Sequence, residues 1–180
     1  MGRYRMRQAT VADALSLCRR VRAVDRREWE DATGLKIEEQ MVGAVSASAA
    51  FAIHEDRPGA PPLVIWGVDF VSNHLGQVWM AATTDAIHHA IHLHETMEEA
   101  LFILDAAYPH SVAYADARNH VHLHWLERLG WSAKQTVQTG PKGLPYLQFE
   151  RSADVWSNPR RRLYGGRRGK LPRAGTGSAS

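Results

Sequence analysis

Ten histidines in 180 residues are the first candidates for chemistry, because two groups of them recur at short spacings: His88, His89, His92 and His94, and His120, His122 and His124. On a helix, residues four apart share a face, so His88 would lie beside His92 and His120 beside His124. Such imidazole pairs can bind a transition metal. The sequence has no HExxH motif, only one cysteine and no carboxylate at a convincing ligand spacing. We therefore expect no metal site and interpret both groups as solvated helix surface, although two adjacent helices could form a four-histidine patch.

Three carboxylates near predicted strand ends, Glu55, Asp69 and Asp116, are positioned where a general base could act. Scattered acids of this kind are common, so none is assigned a catalytic role. The single cysteine, Cys18, excludes an internal disulfide and fits a reducing compartment. It falls on the apolar stripe of a predicted helix, where a buried small hydrophobic side chain is expected rather than a reactive thiol.

The formal net charge of +3 is distributed unequally along the chain. Residues 152–180 hold seven basic groups and one acid, which gives +6, and residues 1–151 hold the other 15 basic and 18 acidic groups, which gives −3. The sequence therefore predicts a mildly acidic domain over 1–151 followed by a basic arm over 152–180. This division argues against a globular nucleic-acid binder with a broad basic face and moves any nucleic-acid contact to the arm.

The arm mixes arginine with glycine, proline and aromatic residues, so it cannot form a core alone but can lie along an acidic protein groove or along phosphates. A flexible solubilising tail is the alternative. The residues expected to contact a partner are Trp156, Arg160, Arg161, Arg162, Tyr164, Arg167, Arg168, Lys170 and Arg173.

Hydrophobic periodicity predicts the elements that would position these groups. Strands are predicted over residues 4–9, 50–55, 63–71, 77–84, 111–117, 131–138 and 144–151. Two helices are predicted ahead of the second strand, the first starting at a Thr10–Asp13 capping box and its region ending at Gly34. A long helix ending at Pro109 and a short one over residues 120–129 follow. The order β-α-α-β-β-β-α-β-α-β-β predicts a mixed α/β (α+β) fold with helices packed on a largely antiparallel sheet.

The composition narrows the class of protein. A hydrophobic content of 44% supports a packed core, and no apolar run approaches the ~18–20 residues that span a bilayer. The basic N-terminal residues lead into no apolar signal segment, so secretion is not expected.

Residues 117–131 resemble a stretch of the GNAT (GCN5-related N-acetyltransferase) family, whose members often carry N-x-x-A-x-x-x-Y-x-x-x-G-[FW] after the fifth strand. The match lies at Asn119, Leu129, Gly130 and Trp131. Asparagine is suited to cap the helix and glycine to end it in a left-handed turn. The opening segment, 5–13, also resembles the usual start of the family. The resemblance covers residues 3–151 and implies a GNAT-like fold.

The resemblance also implies where a coenzyme A site would lie, and the sequence departs from the family there. Members hold the diphosphate on a glycine-rich loop after the fourth strand, whereas residues 84–95 contain no glycine and place Asp85 at that position. The tyrosine that many members use as a general acid corresponds to Leu126, and a customary small residue corresponds to His122.

A GNAT-like domain with these departures and a basic arm resembles the acetyltransferase-like virion proteins of short-tailed, T7-like bacteriophages. We therefore expect a non-catalytic structural or morphogenesis protein without a cofactor. Its arm would dock to head–tail or tail subunits, and its location would be the virion and, during assembly, the host cytoplasm.

The alternative is an acetyl-CoA-dependent N-acetyltransferase with an atypical coenzyme loop. Backbone groups of Ala81, Ala82, Thr83 and Thr84 would then hold the pantetheine arm as an added strand, and Asn119 would lie near the thioester. A third option, nucleic-acid binding by the arm, predicts an affinity that falls steeply with salt.

Overall fold

The computed structural model describes residues 4–153. This part of the chain forms seven strands and five α-helices. The strands are β1 (Tyr4–Gln8), β2 (Ala49–Glu55), β3 (Val64–Ser72), β4 (Leu75–Ala82), β5 (His110–Asp116), β6 (Ser132–Thr139) and β7 (Leu144–Ser152). The helices are α1 (Val11–Cys18), α2 (Ala23–Thr33), α3 (Ile37–Ala47), α4 (Ala90–Ala107) and α5 (His120–Arg128), with a short 3-10 helix over Thr84–His89.

One seven-stranded sheet has the order β1-β2-β3-β4-β5-β7-β6, and β4–β5 is its parallel pair among antiparallel neighbours. This confirms the predicted mixed α/β class. The β4–β5 register runs from Leu75 opposite His110 to Val78 opposite Ala113 and stops there. Since β4 continues to Ala82 and β5 to Asp116, the two strands separate over their last residues and leave a gap in the sheet.

The region before β2 holds three helices, so the prediction of two was wrong. Helix α1 ends at Cys18, and α2 runs from Ala23 to Thr33 and is followed by its C-cap Gly34, whose φ of 80° lies in the left-handed region. Between the two helices Val21 forms an antiparallel bridge with Thr83 at the end of β4. This pairing joins residues far apart in sequence, so the helical spacing of apolar residues could not reveal it.

Two hydrophobic clusters lie on opposite faces of the sheet. The cluster under α4 and α5 includes Trp66, Leu101 and Phe149, and the cluster under α1 and α3 includes Cys18 and Ile65. Burial raises the pKa of Cys18 to about 11, which confirms a buried hydrophobic side chain. The first five residues of β3 are buried, as its apolar run predicts. The end of the strand is exposed instead, because neither cluster reaches Phe70.

The helix boundaries follow from identifiable caps. The Thr10–Asp13 capping box is confirmed, because the Thr10 hydroxyl accepts from the Asp13 backbone N–H at 3.2 Å and the Asp13 carboxylate accepts from the Thr10 N–H at 2.9 Å. Helix α4 begins at Ala90, directly after the 3-10 helix over Thr84–His89. Within residues 4–153 no helix is both long and apolar enough to cross a bilayer.

The last described residue, Ala153, follows β7 directly, and its N–H donates to the Pro109 carbonyl at 2.9 Å. The predicted boundary between domain and arm stays a prediction. Trp156 and the residues from Arg160 to Arg173 that were expected to contact a partner lie outside the described residues.

The β6–β7 hairpin docks on the C-terminal part of α2. Gly140 has a φ of 74°, and a Cβ at this position would overlap the backbone carbonyl oxygen of Asp31. The Lys142 ammonium lies 2.7 Å from the Asp31 carboxylate. Glycine at residue 140 is therefore required both by its left-handed conformation and by the close approach of α2.

Replacement of Gly140 should cost more stability than replacement of Gly143 in the same turn. Gly143 has a φ of 58°, but a Cβ at this position would meet no other atom within 4 Å, so Gly143→Ala should cost only the left-handed strain of about 1 kcal/mol. Gly140→Ala adds the overlap with α2 and should cost about 3 kcal/mol. Urea unfolding of both variants measures the difference. Equal losses would contradict a tight contact between the hairpin and α2.

Candidate functional site

A cavity of about 300 Å³ lies where β4 and β5 separate. Its walls come from helices α2 to α5 and strands β3 to β7. Most of the lining is apolar or aromatic, and its carboxylate and imidazole side chains belong to Glu28, Asp69 and His122. A concave apolar site with a few polar groups is the usual form of a ligand-binding pocket.

Helix α2 turns a row of carboxylates towards the sheet, and sequence analysis missed it. Asp25, Glu28 and Asp31 are spaced by three residues, so they share one helix face, and their exposed fractions are 3%, 6% and 8%. The spacing was visible in the sequence. Arg22, the partner of Asp25, is near in sequence, but the cationic partners of Glu28 and Asp31 lie 87 to 111 residues further along, so nothing local indicated that this polar face is buried.

Glu28 pairs with His122, which projects from α5. The His122 Nδ1 lies 3.2 Å from Glu28 Oε1, and the Asn119 amide donates to Glu28 Oε2 at 2.6 Å. Burial and the positive charge of Arg22 act to lower the pKa of His122. The charge and hydrogen bond of Glu28, together with the charge of Asp25, outweigh them, so the pKa of His122 is raised. Glu28 therefore stabilises the protonated form of the His122 imidazole inside the protein.

Asn119 is the residue that fixes the start of α5 against α2. Its side-chain oxygen accepts from the His122 backbone N–H at 3.4 Å, which confirms the predicted cap. Its amide donates to Asp25 at 3.2 Å as well as to Glu28, and the side chain is buried. Both donors of the amide are thus used within the protein, so Asn119 orients carboxylates rather than presenting a free donor to the cavity.

The end of β4 is occupied by the segment between α1 and α2. The Ala82 carbonyl accepts from the Arg22 N–H at 3.0 Å, and the Ala82 N–H donates to Asp25 at 3.0 Å. The Thr84 N–H donates to the Arg20 carbonyl at 3.0 Å. On the opposite edge the Thr83 N–H donates to the Leu63 carbonyl at 2.9 Å.

The four residues predicted to hold a pantetheine arm have backbone partners within the protein. Ala81 lies opposite Ile65 in the β3–β4 ladder, and Ala82, Thr83 and Thr84 make the bonds just given. An added ligand strand would have to displace residues 20–22. The end of β4 does not fit a pantetheine arm as it stands.

The segment expected to face a diphosphate is the 3-10 helix before α4. Its Asp85 carboxylate lies 3.4 Å from the Arg20 guanidinium, so its charge is partly balanced by a neighbour that the sequence did not indicate. Beside it a second cleft of about 240 Å³ separates this segment from α5. Arg22 and Arg128 are among its basic lining residues, and Ile87 and Val121 are exposed at 69% and 64%.

Leu126 is buried in the core under α5, so no phenol occupies the position where many GNAT proteins carry tyrosine. The buried phenol near the cavity is Tyr146 on β7, whose hydroxyl donates to the Glu28 carbonyl at 2.5 Å. Burial, with the nearby carboxylates, raises the pKa of Tyr146. This phenol therefore keeps its proton and helps to hold α2 on the sheet.

The histidines separate into surface and core groups. His122 is only 8% exposed, so the expectation of a solvated helix surface was wrong there, because the Glu28 carboxylate draws it inward. The Tyr4 hydroxyl bonds to His89 Nδ1 at 2.7 Å and its ring stacks on His92, while His124 is exposed. Within residues 4–153 no three histidine, cysteine or carboxylate side chains converge as metal ligands.

The three strand-end carboxylates have different surroundings. Asp116 is 3% exposed and lies 2.6 Å from the Arg118 guanidinium, which also reaches Asp31 at 2.8 Å. Glu55 bonds to Arg57 at the surface. Only Asp69 lines the cavity, where its Oδ1 accepts from the indole N–H of Trp79 at 3.4 Å.

No family model and no curated protein matches the sequence. Many solved structures share its fold. They include a GNAT-family acetyltransferase from Bacillus anthracis (10% identity, TM-score 0.63, covering 84% of this chain and 96% of that one). Another is spermidine N-acetyltransferase from Vibrio cholerae in complex with CoA and spermine (8% identity, TM-score 0.65, covering 87% and 99%). A third is ribosomal-protein-S5-alanine acetyltransferase from Vibrio fischeri (12% identity, TM-score 0.55, covering 87% and 96%). The fold is therefore that of the GNAT acetyltransferases.

The Glu28–His122 pair should make stability depend on pH. Because the folded-state pKa of His122 lies above its ordinary value of 6.5, the pair contributes stability that is fully present below about pH 6.5 and is lost as pH rises through the folded-state pKa. Glu28→Gln leaves a buried imidazolium without its counter-ion and should cost about 3 kcal/mol in acid. The difference in free energy of unfolding between Glu28→Gln and wild type should become smaller at alkaline pH, because His122 becomes neutral in both proteins.

Urea unfolding at about pH 5.5 and about pH 8.5 measures that difference. The matched control is Glu127→Gln, which removes an equal charge beside the exposed His124. Its effect should be small at both pH values. A stability difference between Glu28→Gln and wild type that stays constant with pH would show that His122 is not charged in the folded protein.

Proposed function

We propose that this chain is a non-catalytic protein of the GNAT fold that serves as a structural or morphogenesis component of a bacteriophage virion. The observation that carries the non-catalytic part is the pairing of residues 20–22 with the end of β4. A ligand strand needs free backbone donors and acceptors at a sheet edge. At this edge the Ala82 N–H and carbonyl are both used within the protein.

Two further features support the loss of acyl transfer. The segment after β4 lacks glycine and places the Asp85 carboxylate, 59% exposed, where a diphosphate would need donors. Leu126 offers no proton at the position of the family's usual acid. Together these features remove both the anchor for a coenzyme and the group that would protonate a leaving thiolate.

The virion role is supported by the resemblance to acetyltransferase-like proteins of short-tailed phages and by the basic composition of residues 152–180. In this proposal the arm binds an acidic surface on a head–tail or tail subunit through its arginines and aromatic residues. The domain over residues 4–153 supplies a rigid body that fixes where the arm starts.

The acetyl-CoA-dependent N-acetyltransferase stays as the second candidate because of one observation. The buried Glu28–His122 pair lies on a cavity at the gap between β4 and β5, and perturbed ionisable groups in a cleft are typical of active sites. One solved neighbour, spermidine N-acetyltransferase, is a complex with CoA and spermine.

Calorimetric titration of the full chain with acetyl-CoA distinguishes the two functions. We expect no binding heat at ligand concentrations up to about 1 mM, since binding would require residues 20–22 to leave β4. Free CoA serves as a matched ligand without the thioester. Micromolar binding of either compound would overturn the non-catalytic proposal and favour the transferase.

Removal of residues 154–180 should prevent incorporation into phage particles while leaving the domain folded. The domain keeps all of β7 in this variant, so its melting temperature should match that of the full chain within about 2 °C. Replacement of Arg160, Arg161 and Arg162 by glutamine tests the charge alone. Unchanged incorporation of the truncated chain would exclude the arm from assembly.

A further inference from the structure

We propose that the outer face of α4 is a docking site for the basic arm of the same molecule, with Trp156 at Phe102 and Arg160, Arg161 and Arg162 along the glutamates of the helix. This intramolecular contact does not depend on the virion role, because both of its sides belong to one chain.

The outer face of α4 carries exposed apolar side chains at both ends of an acidic stretch. Ile91 and Phe102 are 76% and 73% exposed. The residues between them on this face are Glu95, Glu98 and Glu99, and a spacing of three or four residues brings all five onto one side of the helix. Exposed apolar side chains gathered on one face, with polar groups beside them, are typical of an interaction surface.

The negative charge of this face is not balanced within α4, which contains no lysine or arginine. The Glu95 carboxylate lies 3.4 Å from His92 Nδ1, and the Glu98 carboxylate lies 3.7 Å from His94 Nε2. An imidazole balances a carboxylate only when it is protonated. Among residues 4–153 no basic nitrogen lies within 4.0 Å of the Glu99 carboxylate. A segment that combines arginines with large apolar side chains therefore complements this face.

The arm continues from a point beside the C-terminal end of α4. The Ala153 N–H donates to the carbonyl of Pro109, which closely follows the last residue of the helix, Ala107. A helical rise of 1.5 Å per residue places Ile91 about 24 Å from Ala107 along the axis. Because an extended chain gains about 3.3 Å per residue, residues 154–164 can span about 36 Å. The arm is therefore long enough to follow the helix back to its start.

The order of side chains in the arm matches the order along the helix. Away from the domain, the arm presents Trp156, then the arginines at 160–162, then Leu163. From its C-terminal end backwards, α4 presents Phe102, then the three glutamates, then Ile91. The two apolar positions of the helix are about 17 Å apart, and those of an extended arm are about 23 Å apart. An arm that is slightly less than fully extended can therefore make both apolar contacts and the ion pairs together.

A second copy of the domain fits this face less well than the arm does. In a two-fold dimer the same patch meets itself, so the glutamates of one protomer would face those of its partner. A tethered segment also has an effective concentration in the millimolar range for its own domain. Because exposed ion pairs are weak, we expect the docking to be reversible and to add little to the stability of the domain.

The test is paramagnetic broadening of the backbone amide signals in the full-length chain, with a nitroxide attached at Ser157→Cys. Cys18 is buried, so the label reacts at residue 157. We expect broadening of the signals of residues 95–103 on α4, whereas the signals of α1, on the opposite face of the sheet, keep their widths. Broadening confined to residues 108–110, next to the start of the arm, would overturn the docking.

A mixed sample separates the arm of the same molecule from the arm of a neighbour. It contains an isotopically enriched chain without the nitroxide and a labelled chain without enrichment. Unbroadened α4 signals in this sample support docking within one molecule. Broadening as strong as that in the singly labelled chain would show that the arm docks on a second copy and would overturn the proposal.

Matched double variants test the ion pairs. Glu95→Gln combined with Glu99→Gln should lower the docking equilibrium about threefold, because two exposed ion pairs are lost. Glu39→Gln combined with Glu127→Gln removes two charges from α3 and α5 and should leave the broadening of α4 unchanged.

The aromatic contact is tested without a change of charge. Phe102→Ala should reduce the broadening, whereas Val121→Ala, at another exposed apolar position, should not. Full broadening in either the glutamine double variant of α4 or Phe102→Ala would exclude docking on this face. These measurements use the purified chain without phage particles, so the loss of this contact and the failure of the virion role are observed separately.

Discussion

The backbone pairing between residues 20–22 and the end of β4 is the constraint on which the rest of the domain depends. It interrupts the helical run after Cys18 and makes α2 begin as a separate helix at Ala23. Since the pairing fixes both the position and the rotation of α2, it also directs the carboxylate face of that helix towards the gap between β4 and β5. The same bonds consume the backbone groups that a ligand strand would need. One long-range backbone pairing thus accounts for the break between α1 and α2, the direction of the buried carboxylates and the access to the sheet edge.

Burying three carboxylates on one helix is costly unless each finds a partner, and the domain provides one from a different element for each. Arg22 precedes the helix, His122 comes from α5, and Arg118 and Lys142 come from the β5–α5 loop and the β6–β7 hairpin. These ion pairs therefore hold α2 against elements from the C-terminal half of the chain. Hydrophobic contacts alone would define the position of this polar helix poorly, because α2 has few apolar residues.

The sequence was informative wherever structure depends on near neighbours. Alternation and helical spacing located all seven strands, and short-range caps located the starts of α1 and α5 at Thr10 and Asn119. The sequence was uninformative where local structure or burial depends on residues far apart in the chain. The break at Val21 depends on Thr83, and the burial of Glu28 and His122 depends on their meeting across about 90 positions. A polar residue on a helix is usually exposed, so only the folded structure reveals that Glu28 and His122 are buried.

The junction at Asp31 has a consequence for how the chain can change over generations. This carboxylate faces two cations from separate loops, Arg118 and Lys142, but Arg118 is also held by Asp116. Within the described residues, loss of the acid would therefore leave Arg118 with one carboxylate partner and Lys142 with none. Loss of either cation, by contrast, leaves the acid with one remaining partner. The three positions are therefore not equivalent: a neutral residue at 31 is tolerated best where 142 is no longer basic, so these two positions should vary together in relatives of this chain.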